Sequence, residues 1–118
     1  MWIKLILISV FISGCANGGW STADTYRQSG VVALMGIDWA QTRKIAQNPD
    51  KYSEMNPVLG SHPSTEKVDA YFLTCAAAHT VVSMVLPPEY RVLWQYIWIG
   101  LEAGTVAHNA SIGLGVGF

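Results

Sequence analysis

The chain has 118 residues, of which 13% are charged and 51% hydrophobic, and its formal net charge is −1. Soluble domains carry about 25% charged residues, so the deficit points toward lipid or a large protein interface. The length allows one small domain, not two with separate cores, and the slight negative charge excludes nucleic acid as a partner.

The chain opens with a short positive segment (Met1 to Lys4), an apolar run (Leu5 to Ile12) and small residues before a cysteine, Ile12-Ser13-Gly14-Cys15. This arrangement resembles a bacterial lipoprotein signal with its lipobox. The resemblance implies that residues 1–14 are a removed signal peptide and that Cys15 is acylated with a fatty acid such as palmitate. Residues 15–21 then form a flexible tether, and 22–118 a single helical domain. Ala16 stands where an inner-membrane retention signal would put aspartate. The expected location is therefore the cell envelope, on the periplasmic face of the outer membrane, with the inner membrane as the alternative. With Cys15 lipidated, Cys75 has no disulfide partner, and its apolar surroundings suggest a small buried hydrophobe.

The predicted fold is all-α, with three main helices at about 22–47, 64–86 and 89–109. Ser21-Thr22-Ala23-Asp24 fits a capping box that starts the first helix, and Asn48-Pro49 ends it. Gly30 and Gly36 mark places where that helix bends or is closely approached. Residues 48–63 hold three of the five prolines and form an ordered connector, with one helical turn expected around Asp50 to Glu54. Ser64 caps the second helix. Pro87-Pro88-Glu89 stops it and starts the third, so the last two helices form an antiparallel hairpin. Ser111 to Phe118 alternates small and apolar residues as an extended Gly-rich tail, either flexible, packed on the body, or paired between subunits.

Val68–Leu86 and Val92–Val116 are long enough to span a bilayer, but Asp69, His79 and Glu102 interrupt them. Three spans with the N-terminus outside would put Arg43, Lys44, Lys51 and Lys67 on the inside, although Asp50, Glu54 and Glu66 share that loop. Export of a small helical domain explains the same residues without placing charges in lipid, and is the favoured expectation. Trp94, Trp98, Leu101 and Thr105 form one stripe of the third helix, with Tyr90 upstream, suited either to core packing or to a lipid or partner face.

Each helix also carries polar groups where an apolar face is expected. Asp38 and Thr42 lie on the first, His79 with Cys75 and Ser83 on the second, and Glu102, Thr105 and Asn109 on the third. If buried, Asp38 and Glu102 need partners, and His79 and Asn109 are the available donors. Asp38, Thr42, His79, Glu102 and Asn109 therefore form a candidate polar core or site. It is either a hydrogen-bonded network that fixes helix register or a metal or acid/base cluster of Asp38, His79 and Glu102. His62, before Pro63, is expected to be exposed or capping. No paired-histidine motif, phosphate loop or nucleophile elbow occurs, so no catalytic residue, metal ligand or cofactor is assigned.

Asp38-Trp39-Ala40-Gln41-Thr42, Ile45-Ala46, Pro49, Tyr52, Glu54-Met55-Asn56-Pro57-Val58-Leu59-Gly60 and Pro63 form a compound pattern. It resembles a family of small exported or membrane proteins of bacteria and their phages. The likeness continues through Tyr71, His79, Leu86-Pro87 and His108-Asn109. It implies a signal-like N-terminus, a helical body and no assigned activity, so no functional residue is carried over. Physically, Glu54, Asn56, Pro57 and Gly60 suit a rigid turn and a candidate recognition loop, with Glu54 either capping or pairing with Arg43 or Lys44.

Three functional expectations follow. The first is a non-enzymatic lipid-anchored envelope protein that acts by contact with the membrane or an envelope protein, with phage exclusion or lysis as roles by analogy. The second is a small membrane-embedded enzyme or metal-binding protein. The third is a self-assembling homo-oligomer.

Overall fold

A computed structural model describes residues 19–117. The proposed signal peptide, Cys15, most of the tether and Phe118 lie outside the described residues. The rest is all-helical: α1 (Thr22–Gln47), α2 (Thr65–Val85) and α3 (Pro88–Ser111), with no strand among the described residues.

The helix boundaries follow from local chemistry. The Ser21 side chain accepts from the Asp24 N–H, and the Asp24 carboxylate accepts from the Ser21 N–H, which closes the capping box of α1. Ser64 caps α2 through the Lys67 N–H. Pro88 occupies the first turn of α3, where its missing N–H leaves no bond unmade. At the far end of α3, Leu114 N–H bonds Asn109 O and Gly113 N–H bonds Ala110 O. This is a Schellman closure, and it requires the φ of +83° that Gly113 adopts. The helix consequently runs two residues past its expected end at Asn109.

The helical turn expected at Asp50 to Glu54 does not form. Instead Lys51 and Tyr52 N–H both bond Asn48 O, and the chain then extends because Glu54 N–H is held across the loop by Ser61 O. The tail packs on the body: Gly117 N–H bonds Ala40 O, and Gly117 O accepts from Arg43 Nε and Gln47 Nε2.

α1 is the helix on which the other two pack. Its buried positions Asp24, Gln28, Val31, Met35, Asp38, Thr42 and Ile45 recur at alternating steps of four and three, a coiled-coil seam. Although α2 and α3 are joined by a short link, they touch each other little beyond the Pro87 end and diverge. The connector 48–64 sits at the wide end of that wedge. There Leu59, Val68 and Phe72 form the compact apolar core, with Trp39, Ala46 and Tyr71 around it. Gly30 is approached by Ile99 at ordinary van der Waals distance, whereas Gly36 faces open space.

The middle of the bundle is built the other way round. The buried residues of α3 are Arg91, Gln95, Glu102 and Asn109, all polar and spaced by four, seven and seven. Leu73, Val81, Val85, Leu93, Ile97 and Leu101 are exposed. The stripe from Tyr90 to Thr105 is divided: Trp94 and Trp98 pack on His79, while Tyr90, Leu101 and Thr105 are exposed.

Candidate functional site

The bundle encloses two polar layers. The first lies where α1 begins and α2 ends. Pro87 and Pro88 have no N–H, so the last carbonyls of α2 cannot be satisfied by continuing the helix. Arg91, fully buried, supplies the donors: Nε bonds Ser83 O at 2.6 Å and a terminal nitrogen bonds Leu86 O at 3.1 Å. Its other terminal nitrogen pairs with Asp24 Oδ2 at 3.0 Å, and the guanidinium covers the Trp20 ring. Arg27 also pairs with Asp24 and donates to Gln95 Oε1.

Gln28 links this charge cluster to His79. Its Nε2 lies 3.1 Å from His79 Nδ1 and donates to Thr80 Oγ1, while its Oε1 accepts from Ser83 Oγ and Gln95 Nε2. Because an amide N–H donates to Nδ1, His79 is the neutral tautomer with its proton on Nε2. That nitrogen is buried without an acceptor, and the ring stacks on Trp94 at 4.9 Å. Ser83 is fully buried, and its single hydroxyl proton has two acceptors within reach, Gln28 Oε1 and His79 O, so no substrate reaches it.

The second layer brings Asp38, Thr42, Glu102 and Asn109 together. Thr42 Oγ1 donates to Asp38 Oδ1 at 3.2 Å, and Asn109 Nδ2 donates to Asp38 Oδ1 and Gln41 Oε1. The carboxyl groups of Asp38 and Glu102 lie beside each other in this layer. His79 is not part of this layer. It meets Gln28 on α1, ten residues or about 15 Å along the helix from Asp38. The alternative of a metal or acid/base cluster of Asp38, His79 and Glu102 is therefore not assembled, and no grouping that could hold a metal ion exists among the described residues.

A cavity of about 570 Å³ opens between α2 and α3 beside the second layer. Asp38, Glu102 and Asn109 line its inner wall; Glu54 and Asn56 come from the connector. Glu54 does not pair with Arg43 or Lys44, because Arg43 is engaged by Asp69 at 2.6 Å. Instead its Oε1 accepts from the N–H groups of Met55 and Asn56. Burial pushes the Glu54 carboxyl above the usual glutamate range, and nearby Asp38 adds to the shift, while the two N–H donors oppose it.

Asn56 accepts from Val58 N–H and donates to Tyr71 Oη, fixing the turn on α2, and Gly60 closes it at φ +80°. Pro57 and Gly60 do not line the cavity; their place is structural. Cys75 lines the cavity and is half-buried, not fully buried as expected, and His62 is exposed.

Sequence reasoning did not single out Asp24, Gln28, Arg91 and Gln95 as a network. The signal was present in the four- and seven-residue spacing of polar side chains along the apolar third helix. Comparison with known protein families, with curated proteins and with solved structures finds no match for the chain.

Proposed function

We propose that the chain is a bilayer-embedded three-helix protein of the bacterial envelope that acts by contact within the membrane and not by catalysis. The observation that carries this reading is the inverted distribution of polarity. The two largest fully buried side chains are Arg91 and Gln95, while large aliphatic side chains of α2 and α3 face outward. In water this arrangement exposes apolar surface and buries polar groups that need partners; in lipid both faces are satisfied.

The charges support the same reading. Along α1 no acidic or basic residue other than Asp38 lies between Arg27 and Arg43, a span of about 24 Å. α2 has none after Asp69, and α3 has only Glu102 after Arg91. The two carboxyl groups left inside the band face each other. At the connector end the exposed Lys51 and Lys67 can reach the headgroups of a ~30 Å hydrocarbon layer, while Arg27 and Arg91 at the other end are paired inside the bundle. Among the described residues, α2 alone is long and apolar enough to cross, and only 28% of its most apolar window is buried, unlike a soluble core helix. α3 is more polar in part because of residues that point inward, and α1 because of both these and the exposed Thr22, Thr25, Ser29 and Gln47.

A spanning helical bundle suits the inner membrane better than the outer, where spanning proteins are barrels. Lipid on Cys15 would then supplement the bundle's own anchorage. The cationic connector, with Lys51 and Lys67 beside Arg43 and Lys44, would face the cytoplasm. Structural use of the polar layers favours a contact role over an enzyme, since Ser83 is sealed and His79 is held by Gln28.

Labelling with a membrane-impermeant maleimide tests the arrangement in a Cys75→Ala background. Glu89→Cys should react in intact spheroplasts and Val58→Cys only after lysis. Reaction of both from one side would refute spanning.

A further inference from the structure

We propose that the cavity between α2 and α3 is a binding site for a small organic ammonium carrying an apolar body. Glu102 is only 9% exposed, lines the cavity, and its Oε2 is buried with no donor reaching it. A buried carboxylate oxygen without a donor is costly, so the site is chemically incomplete without one. The Asp38 carboxyl lies nearby and also lines the cavity, and Glu54 closes the connector side. No lysine or arginine lines the space.

The rest of the wall sets the class of cation. Met35, Ile45, Phe72, Trp98 and Leu101 give an apolar surface, and the volume is that of sites that enclose small organic ligands. A bare metal ion is disfavoured because the carboxylates are not grouped to ligate one. An ammonium satisfies both parts. Its N–H groups or positive charge meet Glu102 Oε2 and Asp38, and its hydrocarbon lies on the aliphatic and indole surfaces, with Trp98 available for a cation–π contact. The inference rests on the cavity's own groups and stands apart from whether the bundle spans a bilayer.

Titration calorimetry of the full chain in a nonionic detergent tests it. The probes are 2-phenylethylammonium, hexylammonium and tetraethylammonium, compared with 2-phenylethanol and 3-phenylpropanoate. At least one ammonium should bind, and the neutral and anionic analogues should bind at least about tenfold more weakly. Glu102→Gln, which preserves size, should weaken ammonium binding about tenfold or more. Gly104→Leu provides a second arm. Gly104 lines the cavity and a Cβ there meets nothing within 4 Å, so the backbone accepts a side chain whose bulk takes up cavity space. Binding should be lost with helicity retained. Absence of ammonium binding, equal binding of alcohol and amine, or binding unchanged in Gly104→Leu would each overturn the proposal. Should Glu102→Gln fail to fold, the Gly104→Leu and analogue arms decide it.

Discussion

Replacing Arg91 with methionine removes the one side chain that holds the ends of all three helices together. Four hydrogen bonds disappear, to Ser83 O, Leu86 O, Gly19 O and Asp24 Oδ2. Asp24 retains Arg27, so its charge is not wholly unpaired. The carbonyl of Ser83 has no replacement, because the residue four positions on is Pro87. Leaving a buried carbonyl unsatisfied costs about 1–3 kcal/mol, and breaking a buried ion pair about 3–5 kcal/mol. With Arg27 still present, a loss of about 3–4 kcal/mol is expected.

Arg91→Lys should recover only part of this, since a single ammonium cannot reach the carboxylate and both carbonyls. Reversible unfolding in mixed micelles with increasing dodecyl sulfate, followed by helical circular dichroism, gives the numbers. Combined with Asp24→Asn, the cycle should return a coupling of about 1–3 kcal/mol. A loss below about 1 kcal/mol for Arg91→Met, or zero coupling, would refute the assignment of Arg91 as the clasp of this end.

Ile97 lies on the outward face of α3, 49% exposed. Ile97→Lys should impair insertion by about 2.5–3.5 kcal/mol, read as membrane-integrated fraction, whereas on a water-facing surface it would be silent. Glu54 has a raised carboxyl, so its contribution to stability is full below the ordinary glutamate value and is lost as pH rises through the higher folded one. Relative to Glu54→Gln, wild type should lose stability as pH rises above the ordinary glutamate value, and a flat difference would contradict the burial argument. A Cβ at Gly117 would lie 2.6 Å from Lys44 N and 2.8 Å from Arg43 C. Gly117→Ala should therefore release the tail, seen as faster amide exchange at residues 114–117 with bundle melting unchanged.

The helix starts were legible because each rests on a local signature: Ser21 with Asp24, Ser64, and the Pro87-Pro88 pair. The turn at Asn56 to Gly60 was legible for the same reason. What the sequence hid was pairing across the bundle. Asp38, Thr42, Glu102 and Asn109 were identifiable as inward-facing, but His79 was grouped with them because residue spacing says nothing about the level at which two helices meet. Gln28 and Asp38 share a seam of α1, and only the packing decides which of them faces His79. Arg91 and Gln95 escaped notice because polar residues at helix starts ordinarily face water. Their heptad relation to Glu102 and Asn109 is the pattern that marks a polar interior within an apolar helix.

The central claim is that the bundle, without help from lipid on Cys15, resides in a bilayer. It is tested most directly by exporting residues 16–118 behind a conventional cleavable leader, which leaves neither lipid nor signal helix, and washing the membranes at alkaline pH. The protein should stay in the membrane pellet and enter the detergent phase on Triton X-114 separation. Recovery of folded, helical protein in the aqueous fraction would contradict the account and return the chain to an exported domain held by its lipid alone.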